Sequence, residues 1–194
     1  MTDRPLLILD LDETLIHASA VELDRPADFR VFSYHVYRRP GLDEFLQACS
    51  ELYELAVWSS ASDDYVSKVV EQIFPDHIDL HFVWGRSRAT YRRSIADEWP
   101  IVSYDPDHYH FIKQLKKVKR LGWKLERTLI VDDTPAKCIK NFGNAIYIRE
   151  FEGALDDGEL SLLSEYLSNI SHRSNFRRFE KRMWRSETLE ATKK

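Results

Sequence analysis

Leu6-Leu7-Ile8-Leu9-Asp10-Leu11-Asp12-Glu13-Thr14-Leu15 is the stretch on which the fold of this 194-residue chain turns. Four consecutive apolar residues read as a strand buried on both faces, the habit of a parallel sheet covered on each side. Such strands deliver the residues after them to the carboxyl edge, where open α/β sheets bind ligands. Asp10 and Asp12 therefore stand where chemistry would be done. Asp is also common in the turns that end strands, so the pair alone does not decide between a site and a turn.

The remainder of the chain alternates strand and helix patterns, as a doubly wound sheet requires. Residues 16–39, with the β-branched and aromatic run Val31 to Tyr37, read as an inserted β-hairpin. Pro40-Gly41 opens a helix on which Leu42, Phe45, Leu46, Cys49 and Leu52 share a face. Leu55 to Trp58 reads as the second strand. The helix after it carries Val66, Val69, Val70 and Ile73 and stops at Pro75, with Ser60 or Ser62 as N-cap and Asp63 and Asp64 at the positive end of its dipole. Ser59 is thereby placed at a strand-to-helix turn.

Ile78 to Trp84 is the third strand, followed by a polar, Arg-rich insertion over 85–110. Phe111, Ile112, Leu115 and Val118 predict one face of a basic helix, with Lys113 at its entrance and Lys116 one turn on. Thr128 to Val131 is the fourth strand, closed by Asp132-Asp133-Thr134-Pro135, where Thr134 can cap and Pro135 can open a helix running to Gly143. Ala145 to Ile148 is the fifth strand and Glu159 to Ile170 the closing amphipathic helix. The expectation is a Rossmann-like α/β domain over 1–170, with no insertion long enough for a large cap.

Composition narrows the class. The chain is 43% hydrophobic and 12% aromatic, enough for one sizeable core. Cys49 and Cys138 form no disulfide or zinc pattern and read as core residues. The lack of an apolar run of membrane length or a leader h-region predicts a soluble intracellular protein, with a nuclear place open for a eukaryotic source. The net charge of −4 is uneven, because Ser171 to Lys194 carries eight Lys and Arg against three Glu and leaves −9 on the rest. An acidic body of this kind is not expected to bind nucleic acid, and the basic extension, helical or partly disordered, is free to contact an acidic partner or simply to lie solvated.

In a parallel sheet the strand ends bearing Asp10 and Asp12, Ser59, and Asp132 and Asp133 share one edge, and Lys113 leads toward it. Crowded carboxylates repel unless they are protonated or a hard cation neutralises them, and oxygen ligands with phosphate are the preference of Mg²⁺. A hydroxyl at a helix start and a lysine suit a phosphate dianion. The residue types thus describe a Mg²⁺-phosphate site. His108 and His110 lack a completing ligand set for a metal of their own.

The motif Asp10-Leu11-Asp12-Glu13-Thr14-Leu15 resembles that of the haloacid dehalogenase superfamily, in the form used by the phosphatases of the RNA polymerase II C-terminal domain, the NLI-interacting-factor family. Arg39-Pro40-Gly41-Leu42-Asp43-Glu44-Phe45-Leu46, Val57-Trp58-Ser59-Ser60-Ala61, Lys113-Gln114-Leu115 and Leu129-Ile130-Val131-Asp132-Asp133-Thr134-Pro135 extend the resemblance from about residue 6 to about residue 170.

The resemblance implies Asp10 as nucleophile, Asp12 as general acid and base, and Ser59 and Lys113 at the phosphoryl group, with Ser60 and Arg86 as further substrate contacts. It also implies Mg²⁺ held by Asp10, Asp132 and the backbone carbonyl of Asp12, with Asp133 as a direct or water-mediated partner. Ser59 departs from the threonine usual in this family, Lys116 competes with Lys113 for the lysine role, and a surface salt bridge competes for Arg86. Phosphoserine or phosphothreonine in a protein or peptide is the implied substrate. A small-molecule or nucleic-acid-end phosphatase and a non-catalytic peptide-binding scaffold are the competing readings.

Overall fold

A computed structural model describes residues 4–93, 109–141 and 143–191. The buried run over 6–9 forms β1 (Leu6–Leu9), the middle strand of a five-stranded sheet. It is flanked by β5 (Glu54–Trp58) and β9 (Thr128–Asp132), beyond which lie β6 (Leu80–Trp84) and β10 (Ala145–Tyr147), and every pairing is parallel. Leu9 pairs with Val57 and Val131, so Asp10, Ser59 and Asp132 emerge at one edge.

Alternate residues of the central strands feed two apolar layers. On one face Leu7, Leu9, Leu55, Val57, Leu129 and Val131 meet α1 (Leu42–Leu52), α2 (Asp63–Ile73) and α4 (Glu159–Ile170). On the other, Leu6, Ile8, Ala56, Trp58 and Ile130 pack on Phe82, Trp84, Leu115, Val118 and Cys138. Both faces are covered, but unequally: among the described residues the second layer carries only the four-residue α3 (Lys116–Lys119), aromatic rings and turns. Cys49 and Cys138 are both free and buried.

The inserted hairpin is a three-stranded antiparallel sheet in which β4 (Tyr34–Arg38) pairs with β2 (Ile16–Ser19) and β3 (Phe29–Val31). Its two-residue β3–β4 turn holds Phe32 at a φ of 53°, a left-handed conformation costly for a bulky side chain, and leaves that ring largely exposed. Among the described residues no large cap stands over the sheet edge, and no helix is long and apolar enough to cross a membrane.

Two local expectations are corrected, and a third is met in position only. Residues 109–112 are not helical but form β8 (Tyr109–Ile112), paired antiparallel with β7 (Thr90–Arg93), and Lys113 comes directly after it. The segment after Asp133 is a 3₁₀ turn (Pro135–Cys138), and Thr134 makes no capping bond because its hydroxyl donates to Asp133. Ser62 is the N-cap position of α2 without a side-chain bond. The stretch 94–108, including His108, lies outside the described residues, as does the end of the extension beyond 191.

The extension packs onto the body. Phe176 and, in α5 (Trp184–Ala191), Trp184 and Thr188 are buried, and α5 lies against α4. The Trp184 indole and the Arg185 guanidinium donate to the Tyr147 carbonyl, and Arg185 also pairs with Glu159. The Lys181 ammonium caps the carbonyls of Phe176 and Phe179. Lys181 and Arg185 are thus engaged within the molecule.

Candidate active site

The Asp10 backbone N–H continues the sheet by donating to Val131, and its carboxylate is turned into the space between β1 and β9. Asp132 enters that space from the last residue of β9. Lys113, fully buried at the end of β8, lies 2.6 Å from Asp10 Oδ2 and 2.6 Å from Asp132 Oδ2. Its place is fixed by main-chain bonds: its N–H donates to the Lys137 carbonyl, and the Asn141 amide, which also accepts from the Leu115 N–H, donates to the Lys113 carbonyl. Lys116 belongs to the exposed face of α3, so of these two lysines it is Lys113 that reaches the cluster.

Burial disfavours the charged form of Asp10, yet Lys113 and then Lys137 hold its carboxyl below the ordinary range. Asp132 shares the same lysine but is pushed up to about 6, chiefly by burial and also by the Asp10 charge, against the pull of Lys113. Burial would lower Lys113, but the two carboxylates keep it charged.

Asp12 has a different neighbourhood. Tyr65, in the first turn of α2, donates a 2.7 Å hydrogen bond to Oδ1, and the Ser59 hydroxyl stands 3.3 Å from Oδ2 while accepting from the Ala61 N–H. Burial raises the Asp12 pKa, the hydrogen bond from Tyr65 opposes the rise, and the Asp10 charge adds to it. Glu13, held at a φ of 57°, is pushed up to about 7 by burial and by the charges of Asp12 and Asp133. The loop carrying these residues is tied down by Arg39, which forks onto Asp157 at 2.9 and 2.7 Å and donates to the Thr14 carbonyl.

Asp10, Asp132 and Asp133 each offer a carboxylate oxygen, and the three atoms lie within 4.8 Å of one another. Hard oxygens at this spacing fit a Mg²⁺ ion. The Asp12 carboxylate is not among them, being turned toward Ser59 and Tyr65. Ser60, beside Ser59, has a buried hydroxyl with no hydrogen-bond partner among the described residues.

Arg86 sits two residues beyond β6 at the same edge, but its Nε donates to the Ser60 carbonyl and its guanidinium lies 5.0 Å from the Phe111 ring centre. Asp63 locks this loop to the start of α2 by accepting from the Gly85 and Ser87 N–H groups. A cleft of about 420 Å³ opens over Asp12, Glu13, Phe32, Tyr34, Tyr65 and Arg86. It is acidic at its inner end and aromatic along its wall.

Two participants escape a reading of the sequence. Lys137, on the 3₁₀ turn, reaches Asp10 at 3.2 Å and Asp133 at 3.4 Å; burial would lower its pKa, but the three carboxylates push it up. Its spacing of four from Asp133 was the available signal. Tyr65 gave none beyond its place in the first turn after Ser59.

A family model described as NLI interacting factor-like phosphatase matches residues 5–177. The human "Carboxy-terminal domain RNA polymerase II polypeptide A small phosphatase 1" is 30% identical over 179 residues, covering 88% of this chain and 60% of that protein. "Phosphatase Herzog" of Drosophila melanogaster is 30% identical over 177 residues, 87% of this chain and 44% of its own length. The chain spans about half the length of these relatives. In fold it is similar to Fcp1, described as an essential RNA polymerase II CTD phosphatase, with a TM-score of 0.57 at 24% identity over 98% of this chain and 52% of that one. A second Fcp1 structure, from fission yeast and bound to beryllium fluoride, gives 0.54 at 21% identity, covering 98% and 51%.

Proposed function

The chain belongs to the NLI interacting factor-like phosphatase family, and from that premise we propose that it is a Mg²⁺-dependent phosphomonoester hydrolase acting through an aspartyl-phosphate on phosphoserine or phosphothreonine in proteins. The observation that carries the reading is the contrast between its two motif carboxyls. Asp10 is kept ionised by the buried Lys113, as a nucleophile must be, while burial raises Asp12, as a proton donor requires.

An Asp10 oxygen attacks phosphorus in line, the bond to the ester oxygen breaks, and the Asp12 proton goes to the departing alkoxide. Asp12, now a carboxylate, takes a proton from water as that water attacks the aspartyl-phosphate, releasing phosphate and restoring Asp10. Lys113 offsets charge on the phosphoryl oxygens, and the Ser59 hydroxyl with its neighbour Ser60 donates to them. Asp10, Asp132, Asp133 and the Asp12 carbonyl would hold Mg²⁺, which supplies Lewis-acid neutralisation of the phosphoryl charge. The cleft with Phe32, Tyr34 and Tyr65 on its wall supports an extended peptide as substrate, because it leaves the inner carboxyls reachable by a side chain and offers aromatic surface to the residues beside it.

The test is hydrolysis of an aryl phosphate with and without Mg²⁺ by the parent protein and by Asp10→Asn, followed by a phosphopeptide panel. Activity that needs both Mg²⁺ and Asp10 and extends to phosphoserine or phosphothreonine peptides is expected. Turnover restricted to sugar or nucleotide phosphates would remove the protein substrate, and folded but inactive parent protein between pH 5 and 8 would remove the catalytic reading.

A further inference from the structure

The two lysines at the carboxylate cluster are held in different ways. Lys113 is wholly enclosed and bridges Asp10 and Asp132 from behind, without touching Asp133. Lys137 approaches from the open side with 24% of its side chain exposed, and its ammonium lies 3.2 Å from Asp10 Oδ2, 3.4 Å from Asp133 Oδ1 and 3.9 Å from Asp132 Oδ1. An ammonium in contact with two of these carboxylates and within 4 Å of the third stands over the open face of the oxygen set. Mg²⁺ needs those oxygens at about 2.0–2.1 Å, so the ion and this ammonium claim one volume.

We propose that Lys137 is a tethered competitor for the divalent cation: its ammonium occupies the Asp10, Asp132 and Asp133 carboxylates and must leave before Mg²⁺ enters, so that it sets the Mg²⁺ concentration at which the site becomes active. The inference rests on the Mg²⁺ reading of this site and deepens it.

The backbone and side chain of Lys137 have separable duties. Its carbonyl accepts from the Lys113 N–H at 2.8 Å and its own N–H donates to the Thr134 carbonyl at 3.0 Å. These bonds hold the turn and Lys113 in place whatever the side chain does. The four-carbon stem is free to carry the ammonium out to solvent through the exposed side, whereas Lys113 has no such exit. Exchange of one cation for another therefore leaves the scaffold unchanged, and truncating this side chain spares the bond that positions Lys113.

Mg²⁺ alone, titrated calorimetrically into the full chain, tests this with Lys137→Met and Lys137→Gln, both checked for a native circular dichroism spectrum. Both variants are expected to bind Mg²⁺ about tenfold or more tightly than the parent, the scale of removing a charge held at contact distance from the ligands. Lys140→Met, which removes an equal charge from an exposed position three residues on, is expected to change affinity by less than about twofold. Equal or weaker binding by both Lys137 variants, or an equal gain from Lys140→Met, would overturn the competition and leave the Mg²⁺ site standing. No binding by any of the proteins at millimolar Mg²⁺ would overturn the metal reading and the competition with it.

Discussion

The Tyr65 hydroxyl donates a 2.7 Å hydrogen bond to Asp12, the carboxyl that burial keeps inclined to protonation. A bond donated to a carboxylate favours the ionised form, so Tyr65 restrains a rise that burial drives. Tyr65→Phe should therefore move the alkaline limb of the kcat profile to higher pH and lower kcat by about tenfold through lost orientation. The check is a pH–rate profile on an aryl phosphate, and superimposable profiles would show that Tyr65 does not act through Asp12.

Lys113→Met leaves two buried carboxylates without their shared counter-ion. Stability at pH 7 should fall by about 3–5 kcal/mol, and kcat by about 10²–10³-fold. Asp10 has a depressed pKa, so its contribution to stability is present above the unfolded value of 3.8 and is lost as pH falls through the folded one. In the variant, by contrast, burial acts on Asp10 and Asp132 without that counter-ion and raises both carboxyls, so they take up protons as pH falls and the deficit should narrow toward pH 4, as urea unfolding at pH 7 and pH 4 would reveal.

The metal-free protein should become more stable as pH falls from 8 to 5. Glu13 is raised from 4.5 to about 7 and Asp132 from 3.8 to about 6, so in this window the folded chain takes up protons that the unfolded chain does not. Stability then rises with falling pH, and the opposite contribution of Asp10 lies below the window. Thermal melts in a chelator at pH 8, 6.5 and 5 measure the trend, and a midpoint that climbs with pH would contradict it.

Arg39 is a buried cation whose partners, Asp157 and the Thr14 carbonyl, lie on two separate loops. Arg39→Met should cost about 3–5 kcal/mol and reduce kcat, since the loop after Asp12 loses its anchor. Arg39→Met with Asp157→Asn should recover part of the stability but not the activity. A double-mutant cycle by chemical denaturation, with kcat measured on the same proteins, separates the two effects.

The features legible in the chain alone were those that depend on neighbours in sequence. The run ending at Leu9 and the turns after Trp58 and Val131 carry their own periodicity and punctuation, so β1, β5, β9 and the residues at their ends were accessible. Residues 111–118 misled because Phe111, Ile112, Leu115 and Val118 mimic a helical stripe while belonging to two elements. Pairing of Tyr91 with Phe111 across 20 residues decides for a strand, and no local rule contains it. Lys137 was hidden for a similar reason, since its importance arises only when a 3₁₀ turn folds it back over β1 and β9. In the extension, charge suggested a solvated face, but Phe176 and Trp184 supply the apolar surface that fastens it.

That fastening also bears on how one molecule meets another. β10 is an outer strand of the sheet, with only β9 beside it, and such a border is a template on which a second copy can add a strand. Here the Tyr147 carbonyl is already engaged by the Trp184 indole and the Arg185 guanidinium. The extension therefore covers part of this border, and loss of Trp184 and Arg185, which bares the Tyr147 carbonyl, is expected to appear as aggregation on concentration, measured by light scattering.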